Sequence, residues 1–429
     1  MSDLPKNWEY GKLSQAAHVV RGITFPAGEK RNDLAQGYVC CLRTTNVQEK
    51  LEWDDVYYVP TSYVKRTEQL VREGDVLMSM ANSYDLVGKV ARAVNIPQPA
   101  AFGAFLAAVR PTNAIDGGYL YHFLRSSDVQ SKLREGSSQT TNIANISAGR
   151  ISELPIPLAP LNEQQRIADK LDTVLARVDA VNARLARVAP ILKRFRQSVL
   201  AAATSGRLTE DWRSSHNFPN PKITTLGELI KVSSGDGLTA KEMHSEGGIP
   251  VYGGNGVNGY HSETNISEPT IVIGRVGYYC GSVHLTPSSA WITDNALRVK
   301  FTSAILKREF LHYALMGTNL RENMSSTAQP VISGQKIYPL EFRLPVLEEQ
   351  VEIVRRVETL FAFADRLEAR LMAARTAAER LTPALLAKAF RGELVPQDPD
   401  DEPAAELLKR LATHAPTTGK KRGRPAKAV

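Results

Sequence analysis

The chain has 429 residues, 43% of them hydrophobic and 23% charged, the proportions of a globular protein with room for two ordinary domains and connectors. Its longest apolar run (100–109) is too short to span a bilayer, its polar start holds Pro5 and Trp8 and is no signal peptide, and Cys40, Cys41 and Cys280 have no metal or disulfide spacing, so a cytoplasmic protein with no membrane partner is expected. The formal charge is +8, but Lys420, Lys421, Arg422, Arg424 and Lys427 leave only +3 (8 − 5) elsewhere, which excludes bulk charge as a source of nucleic-acid affinity in the body of the chain.

Residues 1–155 read as a mixed α and β domain. Short β-rich runs at 38–42 and 75–80 are bounded by Gly, Pro and Asn, and a helical patch follows near 117–134. Residues 156–212 read as helix. Ile167, Leu171, Val174, Val178, Val181, Leu185 and Val188 are spaced alternately four and three apart, a seven-residue apolar seam that predicts a coiled-coil partner. Pro160 suits the helix start, whereas Pro190 is expected to kink or end it and leave 191–203 as a separate piece. As a helix, 162–188 would span about 40 Å. Residues 213–343 form a second mixed domain, with β-rich runs at 270–273 and 296–301 and a helical patch near 304–322. Residues 344–396 repeat the seam as Ile353, Val357, Leu360, Ala364, Leu367, Leu371 and Ala374. Residues 397–429 read as a flexible tail, acidic and then basic.

Residues 147–211 and 333–397 correspond without a gap at an offset of 186 (337 − 151). Ile151 matches Ile337, Glu163-Gln164 matches Glu349-Gln350, and Gly206 and Leu208 match Gly392 and Leu394. The mixed domains correspond more loosely. Leu13, Val19 and Gly22 match Leu226, Val232 and Gly235 at an offset of 213 (235 − 22), and Val87-Gly88 resembles Cys280-Gly281. The second mixed domain is therefore 27 residues (213 − 186) shorter. The fold expected is mixed α/β, two mixed domains separated by a pair of long coiled-coil helices, with a pseudo-two-fold internal repeat.

Catalytic motifs are missing. Gly254-Asn-Gly-Val-Asn-Gly259 fits the dinucleotide pattern, but no amphipathic helix follows to receive a phosphate. There is no G-x-x-x-x-G-K-[ST] loop, no H-E-x-x-H pair and no Asp/Asn-Pro-Pro-Tyr/Phe run of amino-methyltransferases. Polar, glycine-rich loops remain. Arg bonds guanine and Asn or Gln bonds adenine, while Ser and Thr hold phosphates. Candidate DNA contacts in the first domain are Arg21, Thr24, Arg43, Asn46, Ser79, Asn82, Ser83, Asn142 and Asn145. Those in the second are Tyr252, Asn255, Arg275, Tyr278, Ser325, Thr327 and Gln329. Each also reads as a solvated turn residue. No catalytic residue and no metal ligand is expected.

Two helical stretches carry a family resemblance. The phrases LPIPLAPLNEQQRIADKLD (154–172), LKRFRQSVL (192–200), EQVEIVRRVE (349–358) and AKAFRGELV (387–395) resemble the two conserved helical regions of the DNA-specificity subunit of Type I restriction–modification systems. YGGNG (252–256) and RVGYYCG (275–281) look like phrases of one class of its recognition domains. The resemblance implies a non-catalytic subunit whose two target-recognition domains read the halves of a split, asymmetric double-stranded DNA target. It implies two long helical regions that pack antiparallel between the target-recognition domains, fix the spacer and dock two modification subunits, which bind S-adenosylmethionine and methylate adenine. Restriction subunits using ATP and Mg2+ would join them, so this chain itself needs no cofactor. Beyond the matched part, the basic end reads first as a solvated tail, and Arg422-Gly-Arg-Pro425 also looks like the core of an AT-hook. A methyltransferase fused to its own recognition domains, or a coiled-coil protein scaffold, are the competing readings.

Overall fold

The computed structural model describes residues 4–140, 143–302, 304–322 and 331–414. The chain divides into two compact units, Met1–Ala183 with Arg375–Val429, and Arg184–Ala374. Each unit holds one mixed domain and about half of each of two long helices, Leu161–Thr204 and Leu347–Phe390. Among the described residues no helix is long and apolar enough to cross a membrane.

In the first unit a four-stranded antiparallel sheet runs in the order Ala17–Arg21, Leu106–Pro111, Val76–Ser79, Val90–Arg92. Residues 76–78 of its central strand Val76–Ser79 are apolar because both faces are covered. Val76 and Met78 join the core that holds Tyr119, Leu120 and Phe123 of the helix Gly117–Leu124, while Leu77 joins Cys40, Leu42 and Phe102 on the other side. That second layer is a three-stranded sheet, Tyr57–Pro60, Tyr38–Leu42 and Ala100–Phe102, whose last pair is parallel.

The second unit repeats this plan. Its four-stranded sheet is Ile230–Ser234, Ala296–Phe301, Ile271–Gly274, Val283–Leu285, and its three-stranded sheet is Gly256–His261, Ile249–Gly253, Trp291–Ile292, again with a parallel last pair. Ile271 and Ile273 face the helix core and Val272 the other layer. The dinucleotide-like glycine run, 254–259, is the two-residue turn after Ile249–Gly253 and the first part of the strand Gly256–His261, with Gly256 at φ +86°. A sheet of Ser138–Thr140, Ile143–Asn145 and Ala81–Asn82 is found in the first unit and has no counterpart among the described residues of the second.

The long helices lie antiparallel. Within the second unit Arg196 bonds Asp365 (2.6 Å) and Glu368 (2.9 Å), and just beyond the end of the first helix Leu208 O accepts from Arg356 (2.8 Å). Both helices have 44 residues, about 66 Å at 1.5 Å per residue. Pro190 does not end the first, contrary to expectation. It lies on an exposed side of the helix, where the freed carbonyl of exposed Ala186 is open to water, and exposed Pro383 is accommodated likewise in the second.

The first helix keeps a seven-residue seam but in a different register. Inward positions of the first helix are Ile167, Leu171, Leu175, Val178, Asn182, Leu185, Ala189, Leu192, Arg196, Val199 and Ala203. From Leu171 to Ala203 these positions alternate four and three apart, a seven-residue repeat, but two successive four-residue steps (167, 171, 175) put it one residue out of register with Val174, Val181 and Val188. Val174 is only half-buried and Val181 is 45% exposed, because Leu175 and Asn182 take their places. In the second helix Ile353, Val357, Ala364 and Leu371 are buried, and Leu360 and Leu367 half-buried; Ala374 is exposed and Arg375 turns inward. Leu171→Asp is therefore expected to cost about 3 kcal/mol or more, and Val181→Asp less than about 0.5 kcal/mol. Thermal unfolding of the two variants checks the ranking; equal losses would restore the register that places Val181 on the seam.

The repeated Glu-Gln pair explains why each helix starts where it does. Gln164 accepts from Asp116 N (2.9 Å) and donates to Ala114 O (3.2 Å) and Ala159 O (2.9 Å). Gln350 accepts from Lys307 N (2.7 Å) and donates to Ile305 O and Pro345 O (3.0 Å each). Each glutamine thus ties its long helix to the loop that opens the mixed domain's helix. Glu163 accepts from Trp8 Nε1 (3.0 Å) and Gln397 Nε2 (2.6 Å), and Glu349 from Thr209 Oγ1 and Arg213 Nη1 (2.7 Å each).

Part of the expected flexible tail is folded. Asp401 is buried against Arg166 (2.7 Å), Ala404 N donates to Asn7 O (3.0 Å), and Ala404–His414 is helical. The acidic residues do not simply solvate this segment: Asp401 finds a cation, and Ala404 and Leu407 are buried, Ala404 in the core of the first unit.

Candidate nucleic-acid interface

The candidate contacts gather where the central strands of each four-stranded sheet end. Gly22 lets the backbone pass there: a Cβ would lie 2.2 Å from Gly103 O and 2.3 Å from Phe102 O. Gly235 meets Ile292 O and Thr293 O at 2.3 Å in the same way. Only glycine fits at either place.

In the first unit Arg21, Ser138 and Asn145 line a cleft of about 400 Å³ with Met80, Ala104 and Phe105. Thr24 and Arg43 line a neighbouring, more apolar cleft of about 330 Å³ with Phe25, Lys30 and Tyr57. Phe105 borders both and is 67% exposed. Arg43 is held rather than free: Nη1 donates to Tyr57 Oη (2.6 Å), Nη2 bonds Asp55, and the guanidinium lies 4.1 Å from the Tyr57 ring centroid. Asn82 follows Ala81, which lines the first cleft, on the strand that pairs with Ala144 and Asn145, and exposed Ser83 comes next.

Two candidates are structural instead. Asn46 is buried; its Oδ1 accepts from Arg43 N (2.9 Å) and its Nδ2 donates to Asp54 O (3.2 Å). Ser79 is buried at the end of its strand, where its Oγ accepts from Asn82 Nδ2 (3.4 Å). Their polar atoms face protein, so neither reaches a base edge.

In the second unit the Gly254-Asn255 turn packs on the strand end beside Arg275. Ser282 Oγ donates to Gly254 O (2.7 Å), and a Cβ on Gly274 would meet Gly254 O at 2.3 Å. Asn255 is exposed at that tip, while Tyr252 is half-buried near His284. Arg275 Nη1 donates to Ser234 Oγ (3.2 Å) and Asp294 O (3.3 Å). Tyr278 is 83% exposed on a loop fastened from beneath by Arg321, which donates to Tyr278 O (2.5 Å) and Cys280 O (2.6 Å). Asn142, Ser325, Thr327, Gln329, Arg422 and Arg424 lie outside the described residues. Sequence reading missed Phe105, Tyr57, Lys30 and Ser234; only Gly103, interrupting an apolar run, hinted at a loop that lifts Phe105 out.

Behind the site, burial shapes two histidines. His122, buried, bonds Asp172 (2.8 Å); burial lowers its pKa against the pull of that carboxylate. His312 is pushed down to about 4, by burial first and nearby His284 second. The folded state thus takes its proton later than the unfolded chain. The resulting stability is present above about pH 6.5 and is lost as pH falls through about 4, up to about 3 kcal/mol. Urea titrations between these pH values should show a shallower decline for His312→Gln than for the native chain; parallel declines would clear His312.

A family profile described as the Type I restriction modification DNA specificity domain matches residues 5–189 and again 220–374. Similar sequences include the Type I restriction enzyme StySPI specificity subunit of Salmonella potsdam, 35% identical over 461 aligned positions that cover 98% of each chain. The EcoKI specificity subunit of Escherichia coli K12 is 33% identical, again over 98% of each chain. The fold is similar to that of the HsdS subunit from Thermoanaerobacter tengcongensis, with a TM-score of 0.58 at 20% identity, covering 91% of this chain and 98% of that one. It is also similar to a chain from a structural study of assembly and conformational transition of the type I R-M system, with a TM-score of 0.69 at 20% identity, covering 92% and 100%.

Proposed function

The chain belongs to the family of Type I restriction–modification DNA specificity subunits, and from that membership we propose that its two domains read the two halves of a split, asymmetric DNA target. It is the non-catalytic specificity subunit of such a system and works with partner subunits on DNA. One observation carries the two-half reading. The domains share strand order and register, yet the side chains at the strand ends differ, with Arg21, Met80, Phe105 and Asn145 in one and Ser234, Arg275, Asn295 and Val331 in the other. A common frame with unlike edges suits two unlike sequences.

In this reading double-stranded DNA is held together with two modification subunits, which bind S-adenosylmethionine and methylate adenine. Restriction subunits supply ATP- and Mg2+-dependent work, and the long helices set the unread spacer. This chain holds none of those cofactors, and the complex acts in the cytoplasm. The test is a mobility-shift titration of the chain assembled with its modification partner. Preference for one gapped duplex, lost when either half is changed, supports the reading. Binding without sequence preference overturns it in favour of a scaffold, and methylation by the purified chain alone would make it an enzyme.

A further inference from the structure

Backbone hydrogen bonds define one position in both domains that residue numbering conceals. Arg21 pairs with Ala107 and Ser234 with Leu297, each just before the glycine that approaches a neighbouring strand. Met80 N donates to Phe105 O (2.8 Å) and Met80 O accepts from Ile146 N (2.9 Å). Arg275 N donates to Asn295 O (2.9 Å) and Arg275 O accepts from Ile332 N (2.8 Å). Arg21 therefore corresponds to Ser234, and Met80 to Arg275. In the first domain the arginine ends the edge strand and an apolar residue follows the central one; in the second a serine ends the edge strand and the arginine follows the central one. Arg275 then reaches across to Ser234 Oγ (3.2 Å), which brings its guanidinium to the position from which Arg21 projects.

We propose that each domain has one guanidinium slot for DNA, filled by Arg21 in the first and by Arg275 in the second. The slot is shared, and the strand that fills it is not. The inference rests on the DNA-reading function proposed above. Charge supports it. Arg43 and Arg298 are neutralised by Asp55 and Asp236, whereas among the described residues neither Arg21 nor Arg275 meets a carboxylate. Asn145 and Ser138 stand beside Arg21, and the exposed Tyr278 and Asn255 stand on the loops next to Arg275. An unneutralised guanidinium among amides, hydroxyls and aromatic rings is the donor set for a guanine edge or a backbone phosphate.

The experiment uses the full chain assembled with its modification partner, and duplex DNA with and without the methylated motif. Arg21→Ser and Arg275→Met are each expected to weaken binding to the motif duplex roughly tenfold to a hundredfold at unchanged melting temperature. Loss on the motif duplex alone identifies a base edge, and equal loss on both duplexes with a smaller salt slope identifies a phosphate; either supports the slot. The deciding variant moves the arginine. Ser234→Arg combined with Arg275→Met should recover most of the affinity lost by Arg275→Met. If Arg275→Met fails to fold, exposed Arg21→Ser and the relocation Arg21→Ser with Met80→Arg test the same slot. Single variants that bind like the native complex, or relocated variants no better than the single ones, overturn the proposal. A native complex with no preference for the gapped duplex instead overturns the DNA-reading function itself.

Discussion

Gly22→Ala is expected to destabilise the first unit by about 3 kcal/mol or more, lowering its melting temperature by roughly 6–12 °C, and Gly235→Ala should do the same to the second. The cause is not backbone conformation, since neither glycine has a positive φ. It is space. A methyl group at Gly22 would sit 2.2 Å from Gly103 O, and at Gly235 2.3 Å from two carbonyl oxygens, Ile292 O and Thr293 O. These are backbone atoms packed into the domain interior, so nothing flexible can give way. Gly28 and Gly237, which have open space around the same kind of added atom, are the controls and should tolerate alanine within about 0.5 kcal/mol. Scanning calorimetry of the four variants checks the pattern. Loss at the controls, or none at Gly22 and Gly235, would show that the twin strand crossings are not shared constraints.

Gln164→Leu and Gln350→Leu should each cost about 3 kcal/mol or more, because each leaves three backbone groups without a partner in a dry site. The affected groups are Asp116 N, Ala114 O and Ala159 O in one unit and Lys307 N, Ile305 O and Pro345 O in the other. The consequence reaches function, since these glutamines orient each recognition domain's helix on its long helix. Leucine keeps the volume and removes only the hydrogen bonds. Unfolding by urea, followed separately by hydrogen exchange at 114–124 and 305–317, should show loss confined to the unit that carries the change. Uniform loss in both units, or none, would remove the glutamines from their role as clamps.

Much of this architecture is readable from residues. The runs at 38–42 and 296–301 are strands with those limits. Gly88 and Gly281, paired by likeness, take φ of +82° and +85°, and Gly206 and Gly392, just beyond the two long helices, take +76° and +75°. The rest depends on the third dimension. Val181 satisfies one heptad register on paper, but the extra four-residue step between Leu171 and Leu175 shifts the buried stripe by one residue, which turns Val181 outward and brings in Asn182 against the order of hydrophobicity. Asn46 and Ser79 have the composition of contact loops, and only packing shows that their polar atoms are spent on neighbouring protein groups. Arg21 and Arg275 lie at unrelated offsets, so aligning the repeats separates them, while the backbone hydrogen bonds bring them to one slot. The run Ala404-Ala-Glu-Leu-Leu is a short amphipathic segment, but the acidic residues before it suggest solvent, and the docking of Asp401 on Arg166 depends on a partner 235 positions away.

The most direct test of recognition by two unlike readers is single-molecule sequencing of methylated adenine in cells that carry the system with and without this chain. The account predicts one asymmetric motif of two short halves around a fixed unread gap, present only with this chain, and altered in one half alone by exchanging residues 13–146 for those of a relative with another target. A continuous palindromic motif, or a motif that persists when this chain is deleted, would contradict it.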